Sequence, residues 1–461
     1  MAAKVTNIDV ILNTSDFVVP SCPHGPALLF VRYDQSQNSG RKFFACSAFR
    51  DRKQCRFFQW ADEKMSDKLQ KVIEMEKQHT ERKFSKQDLW ERFQQFAELP
   101  KKDRHVCQSC GVFLLPSNQL NHSGQGHTIK HQIDDSLVRR PSQLFHPLND
   151  NKTYAQYLFS EASVDFILKC LHALGASHVI NIGTPRIHEA VVNDSSVSLS
   201  SLLLDLDQRF EQFYEPHEFC RYNMFNHHFF GGQEDRDLFD KFVAEGKDGK
   251  IVILIDPPFG GMVEALGNTL RMLMKQCKHG DSSVPVFWFF PYFMEKRITE
   301  SVPEFSMLDY KVDYDNHALF KDKGGKKGSP VRIFTNLPPA EVELPPEEGY
   351  WFCSTCNRYS SKENKHCDEC DSCTSKDGTT YVHCSICGVC VKPSRVHCPH
   401  CKTCQIPGHT CDTEERSKGC HICGDFTHKR RECPNKNKRK WQQHKSAGND
   451  GIVKKKKKCK R

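Results

Sequence analysis

The residues best suited to chemistry are Asp256, Pro257, Pro258 and Phe259, which directly follow an apolar run at residues 251–255. An apolar run that ends in an acid predicts a buried strand of a parallel sheet, and such sheets bind ligands beyond the carboxyl ends of their strands. The Asp256 carboxylate and the Pro257 carbonyl are both acceptors, so together they can bind the two hydrogens of an exocyclic amine. The Phe259 ring can stack on a base that has left its helix or loop.

That arrangement suits methyl transfer to the N6 amine of adenine. The amine is a poor nucleophile because its lone pair is delocalised into the ring. A site must therefore hold it, align it with a sulfonium methyl group and let the nitrogen become pyramidal. Catalysis is then mostly positioning and electrostatic stabilisation of a group that becomes positively charged. We therefore predict that these four residues are catalytic.

A second kind of chemistry is indicated by the cysteines, of which the chain has 24. All but Cys170, Cys220, Cys277 and Cys459 fall in short-spaced clusters with histidines, which is the spacing of tetrahedral zinc sites. We expect these four to be free thiols. The predicted zinc ligands are Cys22, His24, Cys46, Cys55, Cys107, Cys110, His122, His127, Cys353, Cys356, Cys367, Cys370, Cys373, Cys384, Cys387, His397, Cys398, Cys401, Cys404, Cys420, Cys423, His428 and Cys433.

Two questions about these ligands stay open at the level of sequence. His131 competes with His127 for the fourth position of the second cluster, and spacing does not reveal which ligands share a zinc within residues 353–411. We expect a reducing compartment and no membrane partner. The first residues lack the pattern of a secretory signal peptide, and no apolar run reaches membrane-spanning length.

Charge is distributed unevenly along the chain. The formal net charge is +9, but residues 434–461 carry twelve Lys or Arg against one Asp, so the rest of the chain sums to −2. We predict a basic, disordered tail at residues 436–461 that attracts nucleic acid.

The elements that must position Asp256 are the strands of an α/β domain at residues 140–336. Apolar runs at residues 178–183, 201–205, 250–256 and 286–290 predict strands, and helical stretches alternate with them.

This domain resembles the N6-adenine methyltransferase family, whose motif is Asp or Asn, two prolines and an aromatic residue. The resemblance implies a Rossmann-like class I methyltransferase domain that uses S-adenosylmethionine. It implies that Asn181, Gly183, Thr184, Asp205, Asn223, Met224 and Asp256 bind this cofactor. Asp207 could assist Asp205, and Gln143 and Phe145 could close the pocket. Relatives with this motif also methylate lysine or glutamine in proteins.

The amino-terminal half contains two predicted zinc modules joined by a helical connector at residues 63–102. Residues 15–62 resemble the GRF-type zinc finger, which implies binding to single-stranded nucleic acid. Of Phe43, Phe44, Phe57 and Trp60, we expect at least two to fill the small core. Residues 103–135 have the spacing of a C2H2-like finger. Few basic residues lie between its ligand pairs, so we expect a structural finger that braces its neighbour.

Two further zinc modules follow the α/β domain. Residues 350–411 resemble the cysteine-rich region of DHHC palmitoyltransferases but lack the Asp-His-His-Cys block, so we interpret them as a zinc scaffold. Residues 418–435 contain the C-x2-C-x4-H-x4-C pattern of a CCHC zinc knuckle, which binds unpaired bases in RNA.

The fold class is therefore α/β, a methyltransferase domain flanked by several small zinc-binding domains. The order of modules resembles the zinc-finger CCHC-domain-containing ribosomal-RNA adenine-N6 methyltransferases. That resemblance implies a large-subunit ribosomal RNA substrate, an effect on translation, and a location in the nucleus and nucleolus, with the cytoplasm as a further location. The alternatives are a protein lysine or glutamine N-methyltransferase, a non-catalytic RNA-binding zinc protein and, less favoured because of the knuckle, a DNA adenine methyltransferase. Protein partners are not indicated.

Overall fold

The computed structural model describes residues 8–33, 40–49, 54–80, 84–117, 122, 126–145, 156–194, 198–280, 283–316, 329–409 and 411. The chain divides into two compact units, one of residues 1–34 and 39–381, the other of residues 35–38 and 382–461. The predicted knuckle and basic tail lie outside the described residues. None of the helices in the described part is long and apolar enough to cross a membrane.

The first module is a small antiparallel sheet. Its strands are β1 (Ile8–Ile11), β2 (Ser21–Cys22), β3 (Gly25–Pro26), β4 (Leu28–Arg32), β5 (Arg41–Ala45) and β6 (Phe58–Trp60). Strands β1, β4, β5 and β6 form one sheet in that order, and β2 pairs with β3. Phe43, Phe44 and Phe57 are buried, so the expectation that at least two aromatic residues fill the core is confirmed. Trp60 is partly exposed, and the Arg41 guanidinium lies 3.9 Å from its ring centroid.

The connector forms two helices, α1 (Asp67–Thr80) and α2 (Lys86–Glu98). The second finger follows with β7 (His105–Cys107), β8 (Val112–Leu114), β9 (Ile129–His131) and α3 (Asp135–Val138). Phe96 of α2, Phe113 of the finger and Phe213 of the α/β domain belong to one buried cluster. The expected bracing role of this finger is therefore confirmed.

An eight-stranded sheet forms the centre of the first unit. Its strands are β10 (His178–Ile182), β11 (Ser200–Asp205), β12 (Phe219–Asn223), β13 (His228–Phe229), β14 (Ile251–Ile255), β15 (Val286–Pro291), β16 (Ser306–Leu308) and β17 (Val331–Thr335). They lie in the order β13-β12-β11-β10-β14-β15-β17-β16. Strands β12, β11, β10, β14 and β15 run parallel to one another, whereas β13 pairs antiparallel with β12, β17 with β15, and β16 with β17. The four strands predicted from apolar runs are confirmed as β10, β11, β14 and β15.

Helices cover both faces of this sheet: α4 (Glu161–Ala173), α5 (Pro185–Asn193), α6 (Gln233–Glu245), α7 (Val263–Cys277) and α8 (Glu295–Ser301). Val179 of β10 packs in one core with Phe166 of α4, whereas the next residue, Ile180, packs in the other core with Leu270 of α7. This alternation is the expected result of a strand buried on both faces. The predicted α/β class is confirmed.

Short hairpins follow the sheet. The first unit ends with β18 (Trp351–Cys353), β19 (Arg358–Ser360), β20 (His366–Cys367) and β21 (Ser372–Cys373). Buried Asp309, next to β16, accepts hydrogen bonds from Ser361 and Asn364, which fixes these hairpins to the sheet. The second unit contains β22 (Val382–Cys384), β23 (Val389–Val391), β24 (Val396–Cys398) and β25 (Thr403–Gln405).

Candidate active site

The carboxyl ends of three neighbouring strands meet at one edge of the sheet. The backbone N–H of Asp256 donates to the carbonyl of Ile182 at 3.0 Å, and the N–H of Gly183 donates to the carbonyl of Leu204 at 3.0 Å. These bonds extend the β10–β11 and β10–β14 ladders by one residue. Asp256, Gly183 and the last residue of β11, Asp205, therefore stand side by side.

A cavity of about 310 Å³ opens beyond this edge. Its wall includes residues from the strand ends, from the loop after β14 and from the first zinc module. The lining residues are His24, Ala48, Phe49, Gln156, Tyr157, Gly183, Asp205, Leu206, Asp207, Gln208, Arg221, Tyr222, Asn223, Met224, Phe225, Asp256, Pro257, Pro258 and Phe259.

Gly183 occupies a position that no other residue can take without distortion. Its φ is +67°, a left-handed conformation that costs a residue with a Cβ about 1–2 kcal/mol. A Cβ there would also stand 3.0 Å from the carbonyl oxygen of Asp256 and 3.1 Å from Cε of Met224. The glycine therefore keeps this part of the cavity open at the end of β10. The open space fits the methionine part of a donor such as S-adenosylmethionine.

Asp256 keeps part of its surface open to the cavity although protein atoms surround it. This burial raises the pKa of the carboxyl well above its usual range, and a hydrogen bond from the Tyr314 hydroxyl acts in the opposite direction. The Tyr314 Oη lies 3.0 Å from Oδ1 of Asp256. Sequence reasoning missed Tyr314, since no motif marks it.

The two prolines after Asp256 turn the chain sharply. The Pro258 carbonyl accepts a hydrogen bond from the N–H of Gly261 at 2.7 Å, which closes the turn. Within the part of the chain that the structure describes, the Pro257 carbonyl enters none of the backbone or side-chain hydrogen bonds. It is therefore available as the second acceptor for an amine. Tyr157 stacks on Phe259 with ring centroids 5.0 Å apart.

Asp205 and Asp207 differ in their surroundings. Burial, and then the neighbouring Asp207 charge, raise the pKa of Asp205 to about 7. Asp205 Oδ1 accepts from the N–H of Asp207 at 2.8 Å. Asp207 itself is paired with the Arg209 guanidinium at 2.6 Å, which leaves Asp205 better placed for the hydroxyls of a ribose.

The other residues expected at the cofactor fall into two groups. Met224 and Asn223 line the cavity, but the Asn223 amide donates to the carbonyl of His24 at 2.9 Å and to Ser47 Oγ at 2.8 Å. Asn181 and Thr184 are fully buried and do not line the cavity; Thr184 Oγ1 donates to Asn181 Oδ1 at 2.8 Å. Their side chains brace the turn after β10 from inside the domain.

The expectation that Gln143 and Phe145 close the pocket is wrong. Neither lines the cavity. Phe145 packs against Phe213, with centroids 5.5 Å apart, in the core shared with the second finger. The Phe145 ring packs into that core because burial there removes more apolar surface from water than a position in the cavity wall would.

Comparisons with known proteins agree with this geometry. A family model described as a probable N6-adenine methyltransferase matches residues 150–336, and the GRF zinc finger model matches residues 20–64. The chain is 48% identical over 427 residues to the rRNA N(6)-adenosine-methyltransferase ZCCHC4 of Homo sapiens, covering 90% of this chain and 82% of the relative. It is 51% identical over 426 residues to the protein of that name in Xenopus tropicalis, covering 90% and 86%.

The chain belongs to the family of these rRNA N(6)-adenosine-methyltransferases. In this family member, the cysteines and histidines form compact groups of four. Ligand atoms around a tetrahedral zinc stand about 3.5–3.8 Å apart, given Zn–S bonds of about 2.3 Å and Zn–N bonds of about 2.0 Å. In the GRF module, His24 Nδ1 lies 3.5 Å from Cys46 Sγ and 3.9 Å from Cys22 Sγ, and Cys55 completes the group. These residues fit zinc.

The fourth ligand of the second finger is His127. His127 Nδ1 lies 3.5 Å from Cys107 Sγ and 3.2 Å from Cys110 Sγ, and His122 completes the group. His131 faces His105 instead, with 3.2 Å between their Nδ1 atoms.

The cysteine-rich segment shows pairings that spacing left open. In the first unit, Cys353, Cys356 and Cys373 gather around His366, a ligand that the sequence prediction did not include. Cys367 and Cys370 lie at the hairpin of β20 and β21, beside this group in sequence.

In the second unit, one group of four ligand atoms contains Cys384, Cys387, His397 and Cys404. Cys398 and Cys401 instead approach Cys411 and His409, at 3.6 Å and 3.3 Å. The predicted list lacked Cys411 and His409. It also lacked Cys390, whose Sγ lies 3.9 Å from His383 Nδ1. Cys420, Cys423, His428 and Cys433 lie outside the described residues.

Proposed function

We propose that this chain is an S-adenosylmethionine-dependent methyltransferase that forms N6-methyladenosine in ribosomal RNA. The observation that carries the proposal is the position of Asp256 and Pro257 at the sheet edge, where they share one cavity with Gly183 and Asp205. The names of the curated relatives supply the nature of the polymer.

On the donor side, the residues of the chain bind and orient S-adenosylmethionine. Gly183 leaves room for the methionine part of the donor at the end of β10, and Asp205 offers a carboxylate to the ribose hydroxyls of the donor. When bound, the donor supplies an electrophilic methyl group on its sulfonium. Asn181 and Thr184 act indirectly, since they hold the turn that contains Gly183.

On the acceptor side, Asp256 and Pro257 present two oxygen acceptors to the N6 amine. Binding both hydrogens fixes the nitrogen and points its lone pair at the methyl group. The Asp256 carboxylate also stabilises the positive charge that develops on N6 during transfer, which requires its ionised form. Phe259 forms an aromatic wall for the base. Because Tyr157 stacks on this ring, an adenine that uses the same face must displace Tyr157.

The zinc modules suit the binding of RNA rather than chemistry. The zinc ions that these modules would hold are structural, because four protein ligands in a group would close the coordination sphere. The basic residues at 436–461 add attraction to phosphate that weakens with salt. We further propose the domain boundaries given by the sequence, a large-subunit ribosomal RNA substrate and a nuclear and nucleolar location. The lysine-rich tail supports this location, since such tracts serve nuclear import and RNA retention.

The test is transfer of labelled methyl groups from S-adenosylmethionine to total cellular RNA and to total protein by the purified chain. We expect label in ribosomal RNA that RNase removes. Label in protein that survives RNase would favour a lysine or glutamine methyltransferase. Donor-independent RNA binding without label would favour a non-catalytic RNA-binding protein.

A further inference from the structure

A short strap of the GRF module, residues 46–49, reaches into the methyltransferase domain. Ala48 and Phe49 line the cavity together with Asp205 and Asn223. Ala48 is buried and Phe49 partly so. With His24, three residues that line the cavity therefore come from a zinc module that lies more than 100 residues before β10, the first strand of the methyltransferase domain.

The zinc ligands hold this strap directly. The backbone N–H of Phe49 donates to Sγ of Cys46 at 3.4 Å. The Phe49 ring also packs edge-on against the His24 ring, with centroids 4.7 Å apart and 77° between the planes. Cys46 and His24 belong to the same group of four ligands. The position of Phe49 therefore depends on a folded zinc site.

The other side of the strap is fixed to the methyltransferase domain. Ser47 Oγ lies 2.8 Å from the amide nitrogens of both Asn223 and Asn226, which donate to it. The Asn226 amide also donates to the carbonyl of Pro26 at 2.8 Å. Ser47 and Asn223 are both buried, so the hydrogen bond between them is shielded from water. These bonds fix the position of the strap relative to the methyltransferase domain.

The backbones also approach closely at this junction. Gly25 has φ of +92°, and a Cβ there would stand 2.4 Å from the ring of His228 on β13. Phe30 and Phe43 of the GRF module belong to the same buried cluster as Phe225 and Met262 of the methyltransferase domain. The two modules therefore share a core and do not move as separate bodies.

We infer that the GRF module completes the donor pocket, with Ala48 and Phe49 covering the adenosyl end of S-adenosylmethionine. The inference rests on the proposed function. A ribose bound at Asp205, the end of β11, places its base toward the adjacent strand β12, which ends at Asn223. The strap lies against Asn223. An apolar aromatic group there removes the base from water.

Donor affinity then depends on zinc bound to a module that is outside the methyltransferase domain. Loss of this zinc releases Cys46 and His24, and with them the strap. The GRF module therefore has a second role besides any contact with RNA, since it forms part of the cofactor site.

The experiment measures the dissociation constant of S-adenosylhomocysteine by calorimetry on the full chain, with zinc content determined by mass spectrometry. Four proteins are compared: wild type, Phe49→Ala, Phe49→Tyr and Arg41→Ala. We expect Phe49→Ala to bind about tenfold more weakly, the loss typical of one removed aromatic contact to a base. Phe49→Tyr keeps the ring and restores affinity. Arg41→Ala alters an exposed side chain of the same module and leaves affinity unchanged.

The outcomes distinguish a failure of the proposed function from a failure of the inference about the GRF module. If wild type binds no S-adenosylhomocysteine, the proposed function itself is overturned. If wild type and Phe49→Ala bind equally well at full zinc content, the inference alone is overturned. If Phe49→Ala has lost its zinc, Phe49→Leu is measured in its place. We again expect weaker binding than wild type at full zinc content. Equal binding by Phe49→Leu and wild type overturns the inference.

Discussion

The hydroxyl of Tyr314 donates a hydrogen bond of 3.0 Å to Oδ1 of Asp256, although the two residues are 58 positions apart in sequence. Burial raises the pKa of both groups. The bond stabilises the ionised carboxylate, because a phenol can donate to a carboxylate but gains less from a protonated acid. Tyr314 is thus a positioning residue that keeps Asp256 charged and fixes its orientation.

Replacing Tyr314 by Phe should shift the pH dependence of methyl transfer. Without the hydroxyl, the pKa of Asp256 rises further, so the ionised form appears only at higher pH. We expect kcat at pH 7 to fall about tenfold, the size of a lost hydrogen bond to a charged group, and to recover as pH rises. The measurement is kcat against pH, with Tyr310→Phe as a buried tyrosine control from the same segment. A uniform loss of activity at every pH would contradict this role.

The stability of the protein should also respond to Asp256. Its pKa in the folded state lies above the unfolded value, so between these values the unfolded chain binds fewer protons than the folded one. Stability contributed by this group is complete below the unfolded pKa and is lost as pH rises through the folded pKa, by up to about 1.4 kcal/mol per pH unit.

The variant Asp256→Asn removes this titration while keeping an acceptor for Tyr314. We expect it to unfold at a higher temperature than wild type above pH 7, with a smaller difference at pH 5. Thermal unfolding at both pH values checks this. A variant that is less stable than wild type at alkaline pH would show that the carboxylate stabilises the fold.

Gly183 should be needed for donor binding beyond its effect on the backbone. Gly183→Ala places a Cβ 3.0 Å from the Asp256 carbonyl, inside the space for the donor. We expect donor affinity to fall at least about tenfold, on top of a stability cost of about 1–2 kcal/mol. Gly175 has a similar φ of +64° but no heavy atom within 4 Å of a Cβ, so Gly175→Ala is the matched control. Equal donor binding by both variants would contradict the role of Gly183.

A buried ion pair fixes the helical connector to the central sheet. Lys86 Nζ lies 2.8 Å from Oδ1 of Asp235, and it also donates to the carbonyl of Phe219 at 2.7 Å. We expect Lys86→Met to lower the free energy of unfolding by about 3–5 kcal/mol, because Asp235 then keeps a buried charge without its cationic partner. Denaturant unfolding measures this.

The control for that pair is an exposed one on α6. Lys241 lies 3.8 Å from Glu245, and both side chains are more than half exposed. Lys241→Ala should therefore change stability by less than about 1 kcal/mol. If Lys86→Met were equally mild, the connector would not depend on this pair.

The sequence allowed four of the eight strands of the central sheet, and most zinc ligands among the described residues, to be predicted, because each depends on local pattern. Five apolar residues before Asp256 are enough to indicate β14, and short Cys-x2-Cys spacings are enough to indicate zinc. Spacing alone could not decide whether His127 or His131 is the fourth ligand of the second finger, because both lie at suitable distances along the chain. The pairing of His105 with His131 across β7 and β9 decides it, and a strand register is not visible in spacing.

Relations between distant segments could not be predicted. Nothing in the spacing of Cys46 indicates that Ser47 binds Asn223, which is 176 residues away. Asn181 illustrates a different limit, since a polar residue at a strand end can face either the ligand or the interior. Here Ser201 and Thr184 satisfy its amide inside the domain.

The most direct test is nucleoside analysis of ribosomal RNA treated with the purified chain and S-adenosylmethionine, wild type beside Asp256→Ala, which removes the acceptor oxygens. We expect N6-methyladenosine with wild type and none above background with the variant, while the variant still binds S-adenosylhomocysteine. N1-methyladenosine or a methylated ribose in place of N6-methyladenosine would contradict the proposed reaction, and full activity in Asp256→Ala would contradict the role of this residue.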